Sequence, residues 1–342
     1  MIPKIFGKNP KKSTFLHLEN TRNFTNGRFQ NLTPTVVMPK QKSKFKTFKA
    51  LLNKPKDNIP LKPIPAVKFS VENTKSEALN YAWFGHSSYF LKYHSYSILV
   101  DPVFSGFASP IKGFAKAFKG TNEINTDQFE DIDLLIITHD HYDHLDYKTI
   151  KLLAPKVKKI LTSIGVRSHL EFWGILPDKI IELNWWETVQ LEKEIKITAT
   201  PTRHFSGRGL IRSKTLWSSF VLDWNGLKLF IGSDSGYDSH FKDIGDLYGP
   251  FDFAWLECGQ YSKFWPQIHM IPEETVQAAL DLRTLHVLPV HWGKFALSIH
   301  SWNEPILRFM KAAKHKDFKT IVPLIGAINN LLDQPKHESW WD

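Results

Sequence analysis

From about Asn80 onward the chain is a succession of short apolar runs broken by polar or glycine-containing residues: "LNYAWFG", "SYFLKY", "YSILVD", "DLLIIT", "KKILTS", "IKITAT", "WSSFVLDW", "LKLFIGSD", "FDFAWLE" and "HVLPV". Their length and their content of Val, Ile, Phe, Tyr and Trp predict β-strands. Between some of them the spacing of apolar positions turns helical, over Tyr147 to Leu153, Val166 to Trp173, Glu273 to Leu282 and Glu304 to Ala313. Pro272 and two glutamates stand where a first helical turn favours them. In "WNGLK" the Asn225-Gly226 pair accepts the positive φ angles of a two-residue hairpin turn. Strand clusters with helices outside them predict a sandwich of two sheets flanked by helices. No repeat of twenty to fifty residues is present.

The N-terminal stretch has a different texture. Across its first sixty residues thirteen lysines and arginines, from Lys4 to Lys56, face only Glu19 and Asp57, and they supply much of the net charge of +10. A Pro-rich stretch, "KPKDNIPLKPIPAV", follows. Residues 1–68 are therefore expected to form a basic arm or wrapping extension, and 69–342 a single large domain. The arm reads first as a solvated extension that aids solubility; as a binding element it suits an anionic membrane surface better than nucleic acid, which is not expected as a partner. With 42% hydrophobic and 13% aromatic residues the rest of the chain can build a sizeable core. No apolar run is long enough to span a bilayer and the N-terminus lacks the apolar centre of a secretory signal, so a cytoplasmic chain, peripheral to the membrane through its arm, is expected. The single cysteine, Cys258, excludes an intrachain disulfide and any thiolate cluster for zinc, so a metal here must be held by His and Asp.

Such residues gather at strand ends. "ITHDHYDHLD", Ile137 to Asp146, sets His139, His141, Asp143 and His144 on a loop behind an apolar strand, and a stretch this polar needs compensation for being brought together. His204 follows "IKITATPTR", Asp234 follows "LKLFIGS", and His291 follows "HVLPV". One polar residue at a strand tip is ordinary; four such tips point to convergence. Imidazole and carboxylate both bind zinc, and seven ligands exceed what one tetrahedral ion uses. They suit two ions sharing a water. A single zinc, or a hydrogen-bonded polar cluster, is the alternative.

"THDHYDHLD" resembles the His-x-His-x-Asp-His signature of the metallo-β-lactamase superfamily. "WFGHSSYFL", "LVDPVFS", "LWSSFVLDWNG", "GSDSGY", "HMIPEE" and "VHWGKFALS", in that order between Trp83 and Ser298, are similar to its N-acylphosphatidylethanolamine-hydrolysing phospholipase D family, as is "GRFQNLTPT" at Gly27. The resemblance implies an α/β (α+β) fold, the four-layer αββα sandwich, with two Zn²⁺ ions, or Fe or Mn, at the edge of the sheets. It gives His139, His141 and His204 to one ion and Asp143, His144 and His291 to the other, with Asp234 bridging. Ser233 departs from the family's usual glycine, and "CGQYSKFWPQIH" departs at the segment expected to line the substrate mouth.

The activity implied is phospholipase D-type cleavage of N-acylphosphatidylethanolamine or a related glycerophospholipid by a hydroxide held between the metals. Asp143 would orient the hydroxide and His269 would handle the phosphate or the leaving group. His86 and Asp101 are expected to orient ligands. Arg203 is a candidate for meeting phosphate, and Tyr261 and Trp265, with Phe264 and Pro266, for an apolar wall along acyl chains. Cys258 reads as a buried apolar residue. The competing expectations are a lactonase or sugar-phosphate hydrolase of the same superfamily, and a basic partner-binding or nucleic-acid-binding module. Sequence leaves the oligomeric state open.

Overall fold

A computed structural model describes residues 3–19, 21–38, 54–75, 77–111, 113–331 and 339–342. The part of the expected arm between 39 and 53 lies outside the described residues. Strands and helices are numbered here in chain order. A small hairpin, β1 (Phe24–Thr25) with β2 (Arg28–Phe29), precedes the main body.

The first sheet contains β3 (Asn80–Trp83), β4 (Tyr89–Tyr93), β5 (Tyr96–Val100), β6 (Ile132–Ile137), β7 (Val157–Ser163) and β8 (Ile180–Leu183). The late strand β16 (Ile328–Asn330) completes it by pairing with β3. The second sheet runs in chain order from β9 (Thr188–Glu192) through β10 (Ile195–Thr200), β11 (Ser219–Trp224), β12 (Leu227–Ile231), β13 (Phe253–Glu257) and β14 (His286–Val290) to β15 (Lys319–Thr320). In each sheet antiparallel pairs give way to parallel ones, from β5 to β8 and from β12 to β15, so several strands end at the same edge.

Period-two alternation decides which way each strand faces. Tyr81, Trp83, Tyr89, Leu91, Ile98, Val100, Leu134 and Ile136 point into the core between the sheets. Their neighbours Ala82, Phe90, Leu99, Leu135 and Ile137 point to the outer face. There they meet Ile150 and Leu153 of α1 (Tyr147–Leu153) and Leu170 of α2 (Arg167–Phe172). The second sheet is covered by α3 (His240–Tyr248), α4 (Pro272–Asp281) and α5 (Glu304–Ala313), through Phe241, Ile244, Val276, Ala279, Ile306 and Phe309. These are the four layers of an αββα sandwich. Both faces of each sheet are buried, which is why so many strands read as continuous apolar runs.

The Asn225-Gly226 turn joins β11 to β12 with Trp224 opposite Leu227 and φ of 53° and 83°, the geometry the dipeptide predicts. The helical spacing over Val166 to Trp173 and Glu273 to Leu282 corresponds to α2 and α4, each shifted by a residue at its ends. Helix α3 and strands β8, β9, β15 and β16 were not legible as apolar runs. The alternation of β9 is between exposed and half-buried positions, because it is the outer strand of its sheet.

Among the described residues no helix is long and apolar enough to cross a membrane. The described N-terminal residues are packed against the domain. Phe15, Phe24 and Phe29 bury with Trp185, Leu216 and Trp217, and the Trp173 indole donates to the Lys4 carbonyl at 2.7 Å.

Candidate metal centre

The edge at which strands of both sheets end collects the polar residues. His139, His141, Asp143 and His144 follow β6, His204 follows β10, Asp234 follows β12 and His291 follows β14. Two more strand tips join them, His86 after β3 and Asp101 after β5. His86, Asp101 and His291 adopt positive φ, 55°, 40° and 67°. Each is a sharp, locally unfavourable turn held in place by its surroundings. Two of these turns hold each other: the His291 N–H donates to the His86 carbonyl at 3.0 Å, and the His86 N–H to the Trp292 carbonyl at 2.8 Å, which laces the two sheets together at this edge.

Among the described residues the ligand atoms fall into three overlapping groups, each lying within 4.8 Å of one another: His139, His141, His204 and Asp234; His86, Asp143, His144 and His291; and Asp234, Glu257, His269 and His291. Asp234 stands between the first two. Its Oδ2 lies 3.9 Å from His139 Nε2 and 3.7 Å from His204 Nε2. Its Oδ1 lies 3.2 Å from His144 Nε2 and 3.1 Å from His291 Nδ1. In the first group His141 Nδ1 comes within 2.9 Å of His139 Nε2 and 3.2 Å of His204 Nε2.

The far side of most rings is spoken for. His144 Nδ1 faces Asp101 Oδ2 at 2.7 Å, and Asp101 is itself held by the Thr138 N–H and hydroxyl at 2.8 and 2.6 Å. His204 Nδ1 donates to the Ile268 carbonyl at 2.8 Å, which leaves its Nε2 lone pair for the centre. Ser233, the departure from the family's glycine, puts its hydroxyl 3.4 Å from His139 Nδ1.

His144 Nε2, Asp234 Oδ1 and His291 Nε2 are buried and make no well-aligned hydrogen bond: the first two face each other at 3.2 Å, and His291 Nε2 lies 4.0 Å from Asp143 Oδ2. A buried polar atom without a satisfied hydrogen bond costs about 1–3 kcal/mol, and three of them belong to this centre. A cation satisfies them together. Protonation points the same way. Burial, reinforced by the neighbouring imidazoles, holds His139, His204 and His291 well below the usual histidine range, and burial brings His141 down to about 4. These rings are neutral, as ligands must be. His144 differs: burial alone would lower it, but Asp234, Asp143 and Asp101 together raise it well above its ordinary value. Burial works to raise Asp143, but His144 and His86 hold its carboxyl low, whereas burial pushes Asp234 up to about 6. The donor set, imidazoles with carboxylates and no thiolate, fits a pair of divalent cations such as zinc, iron or manganese.

The centre opens into a cleft of about 230 Å³, bounded by His141, Asp143, His204, Asp234, His269 and His291 on the polar side. Val37, Met38, Phe205, Trp265, Ile268 and Leu297 make an apolar wall, with the buried Gln260 behind it and Arg212 at the exposed rim. His269 is placed at the cleft as its strand-tip neighbours are, and its Nδ1 lies 2.7 Å from Glu257 Oε2.

Of the residues expected to meet substrate Trp265 lines the cleft, and four lie elsewhere: Arg203, Tyr261, Phe264 and Pro266. Arg203 turns to the N-terminal segment and the loop before α3, bonding the Thr35 hydroxyl at 3.1 Å and the Tyr237 carbonyl at 3.3 Å. Tyr261 donates its hydroxyl to Glu304 at 2.6 Å and stacks on His300, so it braces α5 and does not line the cleft. Phe264 is buried beside it and is likewise absent from the cleft wall. His86, expected to orient a ligand, sets Nε2 2.9 Å from Asp143 Oδ2 and stands near enough to the second group to count among its donors.

Three further residues contribute to the centre. Glu257, the last residue of β13, is a carboxylate ending an apolar run, the same signal that marked Asp234. Burial raises it well above its ordinary value, and it also accepts from the Ser235 and Met270 N–H groups at 2.9 and 3.1 Å. Ser87 places its hydroxyl 2.9 Å from His291 Nδ1. Asn31, in the N-terminal segment, both accepts from the His204 N–H at 3.0 Å and donates to the His204 carbonyl at 2.8 Å; no pattern in the sequence ties residue 31 to residue 204.

Comparison with known proteins agrees with this geometry. The model of the β-lactamase superfamily domain matches residues 96–292, more than half of the chain. An uncharacterised protein of Mycobacterium tuberculosis is 34% identical over 94% of this chain and 88% of its own length. The mitochondrial N-acyl-phosphatidylethanolamine-hydrolyzing phospholipase D of Saccharomyces cerevisiae is 33% identical over 75% of this chain and 56% of its own. Among solved structures, the metallo hydrolase Igni18 of Ignicoccus hospitalis superposes with a TM-score of 0.56 at 22% identity, covering 74% of this chain and 97% of its own.

Proposed function

The chain is a metal-dependent hydrolase of the metallo-β-lactamase superfamily, similar to its N-acylphosphatidylethanolamine-hydrolysing phospholipase D family, and from that premise we propose that it holds two divalent metal ions, zinc foremost, and cleaves the phosphodiester of N-acylphosphatidylethanolamine or a related glycerophospholipid. One observation carries the reading: the two oxygens of Asp234 face two separate groups of donors, Oδ2 towards His139 and His204, Oδ1 towards His144 and His291. His139, His141 and His204 would hold one ion, Asp143, His144 and His291 the other, with Asp234 shared. When bound, such a pair supplies a water of lowered pKa and draws phosphoryl oxygens towards itself.

The remaining work falls to the chain. His86 and Asp101 keep Asp143 and His144 in place. Glu257 accepts the Nδ1 proton of His269 and so leaves its Nε2 facing the cleft, where it meets a phosphate oxygen or the departing group. Arg212 at the rim offers a charge to the phosphate, and the wall of Val37, Met38, Phe205, Trp265 and Leu297 excludes water along an acyl chain.

The test is elemental analysis of the purified chain together with turnover of vesicles containing N-acylphosphatidylethanolamine. Close to two metal ions per chain, with release of N-acylethanolamine and phosphatidic acid, are expected. Two bound ions with turnover of lactones or soluble phosphodiesters alone would move the substrate to the other branches of the superfamily, and a metal-free, inert protein would end the reading.

A further inference from the structure

Four of the twelve tryptophans gather behind the metal centre. Trp83 ends β3 and Trp292 follows His291, and both are fully buried. The other two, Trp340 and Trp341, belong to residues 339–342, a single turn closed by the Asp342 N–H to Ser339 carbonyl bond at 3.1 Å. Trp340 lies flat on Trp292, with ring centroids 5.4 Å apart and planes 6° from parallel, and reaches Trp83 at 6.3 Å. Trp83 and Trp292 are themselves 5.3 Å apart. Trp341 stands nearly perpendicular to Trp292 and Trp340 and is buried in the main core.

The stack backs the two turns that carry His86 and His291. Both residues sit at positive φ, a conformation that persists only where the surroundings impose it. Their backbone is bonded to the stack. Trp83 Nε1 donates to the His86 carbonyl at 2.8 Å, the same carbonyl accepts from the His291 N–H, and the His86 N–H donates to the Trp292 carbonyl. Gly293, at φ 75°, lets the indoles close over the turn: a Cβ there would lie 3.1 Å from Trp83 Cη2 and 3.8 Å from Trp340 Cη2.

On its far side the stack is fastened to the rest of the domain. Trp340 Nε1 donates to the Pro323 carbonyl at 3.2 Å, and the Asn303 side chain, just before α5, donates to the Trp341 carbonyl at 2.8 Å. The other donor group is held elsewhere, His139 by the Thr138 hydroxyl at 3.1 Å and His204 by Asn31 and the Ile268 carbonyl.

We infer that Trp340 is a positioning residue for the second metal group. Laid on Trp292 and Trp83 from outside, it holds the paired turns of His86 and His291 in the conformation that aims their rings at Asp143 and Asp234. Close-packed rings cannot shift without opening a void beneath them, and a drift of about 1 Å is enough to spoil a ligand site. Trp340 is only half-buried, so its loss leaves the core between the sheets in place. The inference rests on the two-ion reading of the site, and under it the two ions respond differently to one substitution.

The experiment compares the full chain with W340A and W340F. In a chelator titration of the zinc-loaded protein, W340A should release one ion per chain with an affinity about ten-fold below wild type, the lower end of what loss of an orienting partner costs, and the second ion as the wild type does. W340F keeps a ring on Trp292 without the bond to Pro323 and should stay near wild type. A second measurement needs no metal: hydrogen exchange of the His86 and His291 backbone N–H groups in chelator-treated protein. In W340A it should quicken by about ten-fold or more, while the amides of β10 keep their wild-type rates. Early loss of both ions together or of neither overturns the proposal, as does unchanged exchange at His86 and His291, equally faster exchange across β10, or a W340F that fails as W340A does. A wild-type chain that binds no zinc would end the two-ion reading, and the exchange rates would still decide whether Trp340 holds these turns.

Discussion

The two halves of the metal centre hold similar side chains in dissimilar electrostatic settings. Around Asp234 Oδ2, His139, His141 and His204 meet with one carboxylate, and burial keeps all three rings neutral. Around Oδ1, His144 is faced by Asp234, Asp143 and Asp101, which hold its proton far above the usual range against the effect of burial. The difference teaches what each half does without a cation. The carboxylate-rich half can put an extra proton, and its charge, where the metal belongs; in the imidazole-rich half neutral rings hydrogen-bond one another, His141 Nδ1 lying 2.9 Å from His139 Nε2 and 3.2 Å from His204 Nε2. Metal binding to the first exchanges for that proton, and binding to the second replaces a hydrogen bond between rings.

The sharpest way to break this comparison is to remove what the halves share. Asp234→Ala takes the only carboxylate from the imidazole-rich group and one of three from around His144. Activity should fall by about three orders of magnitude or more, and metal content by at least one ion per chain, with a folded protein remaining. Wild-type metal content in this variant would show that the halves do not depend on Asp234.

A second test sets the halves against each other through pH, in chelator-treated protein. His139, His141, His204 and His291 have folded pKa values below the unfolded value of 6.5, so below that value the unfolded chain binds protons the folded one refuses. Their contribution to stability is present above about 6.5 and is lost as pH falls towards 4, where His141 titrates. His144 has the opposite sign: its folded value is raised, so its contribution is complete below 6.5 and fades as pH rises through the folded value. Within the centre His86, brought down to about 4, and His269 side with these four, while Asp234 and Glu257, both raised, side with His144. Six groups oppose three, and the melting temperature of the metal-free chain should fall by on the order of 5–10 °C between pH 7 and pH 5. A flat or rising profile would mean that the three outweigh the six.

These groups were legible because a polar residue ending an apolar strand is conspicuous, and the rule found His139, His204, Asp234 and His291 from different parts of the chain. It would also have found Glu257, had the end of "FDFAWLE" been read as a tip and not as the last residue of a strand. Helix α3 was hidden for another reason. Gly245 interrupts its pattern, yet a Cβ there would lie 2.0 Å from the Asp281 carbonyl oxygen, so the glycine is what lets α3 lie against α4. Packing of that kind leaves no trace in local periodicity. The direction of Arg203 was equally invisible, since it is set by Pro34 and Thr35, far away in sequence.

The smallest expected effect, and the one that separates the halves most cleanly, comes from the same N-terminal segment. The Asn31 amide makes two bonds to the backbone of His204 and accepts a third from the Trp217 indole at 3.0 Å, while touching nothing in the carboxylate-rich half. Asn31→Ala leaves the His204 N–H and carbonyl without these partners and frees the ring of one group only. Its affinity should drop by about ten-fold, the lower end of what loss of an orienting contact costs a metal site. In a chelator titration one ion per chain should leave early and the second at the wild-type concentration. Asn31→Asp keeps the acceptor for the His204 N–H and for Trp217 but loses the donor to the His204 carbonyl, so it should fall between. If both ions weaken together in either variant, the two groups behave as one unit, and the electrostatic contrast drawn around Asp234 does not separate their binding.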